Sequence, residues 1–258
     1  MAPQPSAQWL APVRDALDEP GAPVEVFFRD DDGGWGTGRL LELLDLFASF
    51  GLPLDLAVIP ADLDADLAAE LRSRAARSEG RLGLHQHGYA HLNHEPEGRK
   101  YEFGPSRAPA AQRRDIAAGR ALLADRLGPI VDPIFTPPWN RCTPATGRCL
   151  VELGFAALSR EARAEPLAIP GLCELPVRVD WFAKRHGLLL SREEVGGRLA
   201  DAIRAGGPVG VMFHHAIMDA RDMRGARELL SLLAAHARAR PCRMGALVAR
   251  DGPGHGVH

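Results

Sequence analysis

Short apolar runs alternate with longer amphipathic stretches along most of the chain. The apolar runs are rich in β-branched or aromatic residues, and Gly or Pro bounds several of them, as is typical of buried parallel strands. They lie at residues 24–28, 54–59, 81–85, 133–136, 155–159, 173–179, 208–213 and 243–248. Strands that alternate with helices in this way predict a parallel α/β fold, either a barrel or a doubly wound sheet. We favour one barrel-like domain that spans residues 1–258.

The amphipathic stretches have recognisable ends. Thr37 is placed to cap a helix that Gly51 ends, and Thr143 opens a second helix that Gly154 closes. Further helices are predicted at about 62–78, 110–127, 191–205 and 222–238. The longest stretch without convincing periodicity is 86–108, and loops of that length in compact domains are usually functional or disordered. Because a histidine cluster begins this loop, we interpret it as functional.

Composition and charge narrow the classes of partner. The 258 residues are 46% hydrophobic and 25% charged, which is enough for a sizeable core. The net charge of -2 leaves no basic excess to neutralise phosphates, so we expect no nucleic-acid partner. No long apolar stretch and no leader-like N-terminus is present, which predicts no membrane partner and a cytoplasmic location. The 4 cysteines contain no CxxC pair and are expected to be reduced thiols.

Polar residues follow several of the predicted strands at the points where those strands end. They are Asp30 to Asp32 after the first strand, His87 and His91 after the third, 137–141 after the fourth, Asp180 and Trp181 after the sixth, and His214 and His215 after the seventh. Because the carboxyl ends of parallel strands meet at one edge, sites in such folds are built there. The positions therefore predict a single functional site at that edge.

The residue types in these positions indicate metal chemistry. His87 and His91 are four residues apart, so on a helical turn both imidazoles would share a face and reach one cation. One carboxylate from the first loop would complete a set that leaves coordination positions open for water and substrate, as in catalytic sites. A second carboxylate could accept a proton from that water, and a histidine opposite could protonate the leaving group.

In these motifs the chain resembles the polysaccharide deacetylases of carbohydrate esterase family 4 over about residues 24–215. The family motif T-F-D-D-G aligns through its glycine with RDDDG at 29–33, and H-[ST]-x-x-H aligns with HGYAH at 87–91. The resemblance implies a distorted (β/α) barrel and the removal of N-acetyl groups by a metal-activated water.

The two best-matched motifs imply specific roles. By the resemblance, Asp31 is the general base, and Asp32, His87 and His91 are the metal ligands. Gly88 stands where the family has a small hydroxyl residue, so one support of the ligand loop is missing.

The third motif, R-x-P-[YW], matches in part at TPPW, residues 136–139. The backbone N–H of Trp139 would help to hold the oxyanion. Thr136 replaces the arginine that pairs with the catalytic aspartate in the family. Arg29 and Arg141 are the two neighbouring residues that could take its place.

The last two motifs are also partial. D-x-x-D-W survives only as Asp180 and Trp181, where Trp181 would form a wall of the acetyl pocket. L-x-H fits a register in which His214 is the general acid. The register one residue later fits nearly as well and gives that role to His215.

The expected function is therefore a metal-dependent deacetylase of an N-acetylated sugar or a related small carboxamide. Zn²⁺ is the expected metal, with Co²⁺, Ni²⁺, Mn²⁺ or Fe²⁺ as alternatives. A non-catalytic barrel that binds metal or carbohydrate is a second hypothesis, motivated by the altered third and fourth motifs. A glycosidase with Asp31 and Asp180 as its carboxylate pair is a third. His85, His94 and Asp30 have no place in the family pattern.

Overall fold

The computed structural model describes residues 8–251, in which parallel strands form a curled sheet flanked by helices. The strands are β1 (Val24–Gly33), β2 (Leu54–Val58), β3 (Leu82–His87), β4 (Val131–Thr136), β5 (Ala157–Leu158), β6 (Cys173–Glu174), β7 (Val177–Asp180), β8 (Lys184–Arg185), β9 (Leu188–Leu189), β10 (Val209–Phe213) and β11 (Ala239–Pro241). The helices are α1 (Ala11–Asp18), α2 (Thr37–Phe50), α3 (Ala65–Arg77), α4 (Pro109–Leu127), α5 (Pro144–Glu152), α6 (Arg192–Arg204), α7 (Ala220–Ala235) and α8 (Met244–Asp251).

The main sheet curls into a half-barrel. Its strand order is β6-β5-β4-β3-β2-β1-β10-β7, with β11 beside β1, and every pair in it is parallel. The edge strands β6 and β7 are separated only by residues 175 and 176, so the two edges must lie close together. Val177 in β7 also bonds to the segment after β5, because its N–H donates to Arg160 O and its O accepts from Ala162 N, each at 2.7 Å. The predicted barrel-like α/β fold is confirmed.

Apolar strands form the core, as the continuous apolar runs predict. All residues of β2 and β10 are buried, which is the pattern of strands covered on both faces. Phe28 of β1 packs edge-on against Phe47 of α2 at 5.0 Å and lies 6.1 Å from Phe213 of β10. These contacts hold β1 beside β10 next to the polar residues of the predicted site, of which Asp30 to Asp32 lie within the last part of β1 and His214 follows β10.

Two of the predicted strands are wrong. The run 243–248 is predicted to be a strand, but residues 244–248 lie in α8, and β11 precedes them. Met244 and Leu247 are three residues apart and both are buried, so the run follows a helical period that a short apolar stretch cannot distinguish from a strand. The run 173–179 forms two strands, β6 and β7, on opposite edges of the sheet. Pro176 lies at the break, where a residue without an N–H cannot continue a ladder.

Most predicted helices are confirmed, with small shifts at their ends. Thr143 caps α5 through a capping box with Thr146, and Gly51 ends α2 in a left-handed conformation. Thr37 is not a cap, because the N-cap is Gly36 and no side chain bonds there. The helices predicted at about 62–78, 110–127, 191–205 and 222–238 correspond to α3, α4, α6 and α7. The prediction of one domain over residues 1–258 reaches termini outside the described residues and stays a prediction.

The described part of the chain, residues 8–251, contains no helix long and apolar enough to cross a membrane. The segment between His87 and Pro109 has no helix or named strand, as its lack of periodicity predicts. It leaves β3 at the carboxyl edge of the sheet, and the first residues of the segment form part of the candidate site.

Candidate metal centre

Three side chains at the carboxyl ends of β1 and β3 form a cluster that could hold a metal ion. Asp32 Oδ1 lies 3.2 Å from His87 Nε2 and 3.3 Å from His91 Nε2. The three potential ligand atoms all lie within 4.8 Å of one another. The structure therefore brings together the three residues for which the sequence predicts a ligand role.

An irregularity at the end of β1 allows consecutive aspartates to reach the same site. The pairing of β1 with β2 shifts register between Asp30 and Gly33, and Asp32 has a left-handed φ of 68°. Regular strand geometry would point neighbouring side chains to opposite faces, so a bulge is needed to redirect one of them. As a result, Asp31 approaches His214 while Asp32 approaches His87.

The two histidines are oriented by different contacts. His87 Nδ1 lies 3.1 Å from the carbonyl oxygen of Thr136, so a proton on Nδ1 leaves Nε2 free to face Asp32. The ring of His91 lies between Trp35, at a centroid distance of 4.7 Å, and Trp139, at 4.5 Å. Burial first and then the charge of His87 lower the pKa of His91 to about 4, so its imidazole is in the neutral form that binds metals.

The donor set fits a divalent cation. Among the described residues, Asp32 Oδ1 is buried without a hydrogen-bond partner, although buried polar atoms are normally paired. Burial would raise the pKa of Asp32, but the neighbouring His87, together with His214 and His91, outweighs it and lowers the pKa, so the carboxylate is ionised. An ionised oxygen without a donor, beside two imidazole nitrogens, suits a cation with mixed N and O ligands.

Arg29 is the arginine that holds Asp31. It is fully buried, and its Nε and Nη2 donate to Asp31 Oδ1 and Oδ2 at 2.8 and 2.9 Å in a bidentate pair. Nη1 also donates to Ser159 Oγ at 2.8 Å, and Nη2 donates to Asn140 Oδ1 at 2.7 Å. Of the two replacements considered for the missing family arginine, Arg29 is therefore the one that contacts Asp31.

Asp31 faces His214 across the site. His214 Nε2 lies 3.9 Å from Asp31 Oδ2, and the His214 side chain is 26% exposed. Burial would raise the pKa of Asp31, but the charges of Arg29, His87 and His214 outweigh it and hold the pKa below its ordinary value. Asp31 is thus an ionised acceptor, and His214 is the more accessible of the two neighbouring histidines.

His215 and Asp30 form a buried pair behind the site. His215 Nδ1 lies 2.6 Å from Asp30 Oδ2, and its Nε2 lies 2.7 Å from the carbonyl oxygen of Trp35. Both ring nitrogens face acceptors, so the ring donates from both and is charged. Burial lowers its pKa, but the charge and hydrogen bond of Asp30 outweigh it and raise the pKa to about 9. This pair gives Asp30 a structural role, because it joins β1 to the segment after β10.

The segment after β4 contributes a turn beside His91. Trp139 and Asn140 have left-handed φ values of 56° and 58°, which turn the chain directly after Pro138. Arg141 points away from Asp31, because its Nη1 donates to Lys100 O at 3.3 Å and its guanidinium lies 6.0 Å from the Tyr101 ring. Arg141 therefore lies in contact with the 88–108 segment and not with the carboxylates.

The remaining predicted residues lie after β7. Asp180 Oδ1 accepts the Phe182 N–H at 2.8 Å, and burial raises the pKa of this carboxyl. Trp181 is only 3% exposed, 4.9 Å from the Phe213 ring and 4.0 Å from the Arg192 guanidinium. The structure places Trp181 in the core, and its role as a wall of the acetyl pocket stays a prediction.

Two histidines of the cluster have other contacts. His85 is fully buried, with Nε2 2.9 Å from Thr136 Oγ1, and burial first and then the charge of Arg29 lower its pKa to about 3. His94 is exposed, and its backbone N–H donates to the carbonyl oxygen of Tyr101 at 2.9 Å. Neither contributes to the group of candidate ligands.

Several residues of the site are not among those that the sequence motifs indicate. Trp35 contacts His91, Ser159 and Asn140 bind Arg29, and the Glu102 carboxylate lies under the loop between the ligand histidines. Trp35 alone had a local signal, since it lies shortly after the aspartates on the same loop. The others reach the site from distant parts of the chain through tertiary packing.

Comparison with solved structures shows which fold this is. A protein from Mycobacterium smegmatis assigned as a polysaccharide deacetylase superposes with a TM-score of 0.67 at 19% identity, over 90% of this chain and 93% of that one. A family 4 acetyl xylan esterase from Clostridium thermocellum, in complex with a cobalt ion, gives 0.58 at 13% identity, over 88% and 91%.

The same fold occurs in proteins with and without activity. A family 4 pseudoenzyme from Bacillus anthracis superposes with a TM-score of 0.55 at 11% identity, over 89% of this chain and 66% of that one. No protein-family model matches the chain, and no curated protein matches it in sequence. The resemblance to the family 4 deacetylases is confirmed at the level of the fold, at low sequence identity.

Proposed function

We propose that the chain is a metal-dependent hydrolase that removes the acetyl group from an N-acetylated sugar or a related small carboxamide. The observation that carries the proposal is the group of Asp32, His87 and His91, which lies beside an Asp31 carboxylate that faces His214. This arrangement provides a cation site, a base and an acid on one side of the barrel, where parallel α/β folds build their active sites.

The three ligands would hold one divalent cation. Bound there, the cation would act as a Lewis acid toward the acyl carbonyl and lower the pKa of water. Two imidazoles and one carboxylate with open positions suit Zn²⁺, and Co²⁺, Ni²⁺, Mn²⁺ or Fe²⁺ suit the same donors.

Asp31 is the proposed general base. Arg29 holds both of its oxygens, which fixes the direction in which its remaining lone pairs face the site. Its lowered pKa keeps it ionised, so it can accept a proton from the attacking water. His214 is the proposed acid, since it is partly exposed and would donate a proton to the departing amine.

Trp139 has two proposed tasks. Its backbone N–H, in the left-handed turn after β4, would help to hold the developing oxyanion. Its indole and that of Trp35 flank His91 and offer apolar surfaces beside the polar cluster. Such a mixture of aromatic and polar groups is suited to the faces and hydroxyl groups of a sugar. Acetate and a free amine would be the products.

Asp32→Asn tests the proposal. An amide in place of the carboxylate removes the only anionic ligand, so we expect bound metal and hydrolysis to be lost together. The test measures metal content and acetate release from N-acetylated sugars, with Asp45→Asn, a change at an exposed carboxylate, as the control. Unchanged turnover in Asp32→Asn would exclude its role as a ligand.

A pseudoenzyme is the second candidate. Thr136 stands in place of the family arginine, and the Bacillus anthracis protein of the same fold is a pseudoenzyme. Bound metal without hydrolysis of any amide or ester in a broad panel would favour this candidate. The glycosidase hypothesis gives no role to the three ligands, and hydrolysis of glycosides that a chelator leaves unchanged would favour it.

A further inference from the structure

The carboxylate of Glu102 lies buried beneath the loop that connects the two ligand histidines. It is 1% exposed, Oε1 accepts the Ala90 N–H at 2.7 Å, and Oε2 accepts the Tyr89 N–H at 3.1 Å. Both donors belong to the three residues between His87 and His91. Each carboxylate oxygen therefore has its own backbone N–H in this loop.

Gly88 leaves the space that this carboxylate fills. A Cβ atom at position 88 would lie 2.1 Å from Glu102 Oε2 and 2.6 Å from Pro138 Cδ, and Gly88 has a φ of 58°. Any side chain there would displace the carboxylate and would also be strained. The hydroxyl residue of the family motif and the Glu102 carboxylate therefore cannot share this space, and the chain has the carboxylate.

Three other backbone groups of the loop are bonded to neighbouring parts of the structure. Gly88 N–H donates to Thr136 O of β4 at 3.0 Å, and Gly88 O accepts from Gln86 Nε2 of β3 at 2.8 Å. Tyr89 O accepts the Ala61 N–H at 3.0 Å. The N–H groups of Tyr89 and Ala90 are left for Glu102, immediately before His91.

His91 needs such a support. Its φ of 54° lies in the left-handed region, which is unfavourable for a residue with a Cβ and persists only when its surroundings hold it. The contacts of its ring with Trp35 and Trp139 orient the imidazole, but they do not fix the backbone. The two charge-assisted hydrogen bonds to Glu102 act on the backbone just before it.

We propose that Glu102 is a positioning residue that holds the His87–His91 loop in the geometry in which both histidines bind one cation. It takes the part of the hydroxyl group that this chain lacks at position 88. The inference rests on the metal site of the proposed function, but it concerns metal affinity and does not require turnover.

Glu102→Gln is the sharpest variant, because it keeps the shape of the side chain. One oxygen becomes an NH₂ group, which would face a backbone N–H as donor against donor. We expect the affinity for Zn²⁺ to fall by about 10- to 100-fold, as it does when groups that orient metal ligands are removed. Competition with a chromophoric chelator measures the affinity of the full chain.

Glu95→Gln is the matched control. Glu95 is another carboxylate of the same segment, and its oxygens accept from Ser106 N–H at 3.1 Å and from Ser106 Oγ at 2.5 Å. Its loss should leave the affinity for Zn²⁺ within about 2-fold of the wild type, since the bonds lie outside the ligand loop. Thermal unfolding of both variants without metal measures any general loss of structure.

Gly88→Ala tests the same interaction by a change in the loop instead of a change in Glu102. Its Cβ would displace the Glu102 carboxylate, so the affinity for Zn²⁺ should fall as it does in Glu102→Gln, although Glu102 itself is unchanged. Should Glu102→Gln not fold, Glu102→Asp, which shortens the side chain by one methylene, takes its place in the comparison.

The outcomes separate the two proposals. A selective loss of affinity in the Glu102 variant, with stability without metal close to that of Glu95→Gln, supports the inference even if no amide is hydrolysed. Equal Zn²⁺ affinity in wild type and Glu102→Gln overturns the inference and leaves the proposed function intact. A wild-type chain that binds no divalent cation overturns both.

Discussion

The pair of Arg29 and Asp31 is the residue-scale feature on which proton transfer would depend. Arg29 donates four hydrogen bonds, two to the oxygens of Asp31 and one each to Ser159 and Asn140, so the last two residues orient the guanidinium that holds the base. In Arg29→Lys the charge remains but the planar fork is lost, so Asp31 can no longer be held at both oxygens.

We expect Arg29→Lys to lower kcat by about 100-fold, because a misplaced catalytic group has an effect of that order. Metal content should stay close to the wild-type value, since Arg29 donates to the oxygens of Asp31, Ser159 and Asn140 and not to those of the proposed ligands. Steady-state kinetics and metal analysis check this, with Arg39→Lys on the surface as the control. A variant with wild-type kcat would show that the bidentate pair has no part in turnover.

Substitution of His214 and of His215 by glutamine should have different effects, the first on turnover and the second on stability. His214→Gln removes the proposed acid and should lower kcat by about 100- to 10,000-fold while stability changes little. His215→Gln breaks the buried pair with Asp30 and should lower the free energy of unfolding by about 3–5 kcal/mol. Urea unfolding and steady-state kinetics measure the two effects, and the reverse assignment of effects would favour His215 as the acid.

The sequence motifs locate the candidate ligands but not the partners of the carboxylates. Asp32, His87 and His91 are predictable because the spacing of a motif and the position after a strand are local properties of the chain. The partners of Arg29 are not, since Ser159 and Asn140 are 130 and 111 residues away from it in sequence. Likewise, Asp30 acquires its role only when β10 lies beside β1 and brings His215 to it.

At the scale of elements, the order of strands and helices is largely predictable from the sequence. Predictions of whether a stretch is a strand or a helix, and of where it ends, are wrong where the local pattern fits both. The apolar runs locate β1, β2, β3, β4 and β10, because buried parallel strands are continuously apolar. The run at 243–248 is short enough to fit either period, and tertiary packing makes it a helix. Helix α1 lies outside the predicted elements altogether.

The N-terminus of α8 is joined to the sheet by a buried carboxylate. Asp55 of β2 is fully buried, its Oδ2 accepts the Met244 N–H at 2.8 Å, and its Oδ1 accepts from Arg243 Nε at 3.2 Å. Burial raises the pKa of Asp55 to about 6, although Arg243 acts in the opposite direction. The folded chain therefore retains this proton to a higher pH than the unfolded chain.

The sign of the pH dependence follows from that raised pKa. The stabilisation from Asp55 is complete below about pH 4 and is lost as the pH rises through about 6, a change of about 3 kcal/mol. Asp55→Asn removes this titration. We therefore expect the free energy of unfolding of the wild type, relative to the variant, to fall between pH 4 and pH 7. Urea unfolding at several pH values measures it, and parallel curves for the two proteins would contradict the prediction.

At the scale of the whole molecule, the parallel order of the strands brings residues that are distant in sequence to one site. The candidate ligands come from the ends of β1 and β3, and the histidine that faces Asp31 follows β10 on the other side of β1. A cation held by this site would bind the folded chain and not the unfolded one, because only folding brings β1 and β3 together. Metal binding should therefore raise the free energy of unfolding of the whole chain.

The stabilisation has an expected size. Zn²⁺ at about 100 times its Kd should add about 2.7 kcal/mol to the free energy of unfolding, which raises Tm by roughly 5–10 °C for a chain of this length. His91→Gln removes a candidate ligand and should lose most of this shift. His94→Gln, a change at the exposed histidine of the same cluster, should retain it. Calorimetry with and without Zn²⁺, and after chelation, compares the three proteins. An equal shift in all of them would place the bound metal elsewhere, whereas a shift lost only in His91→Gln ties the stability of the whole barrel to the ends of β1 and β3.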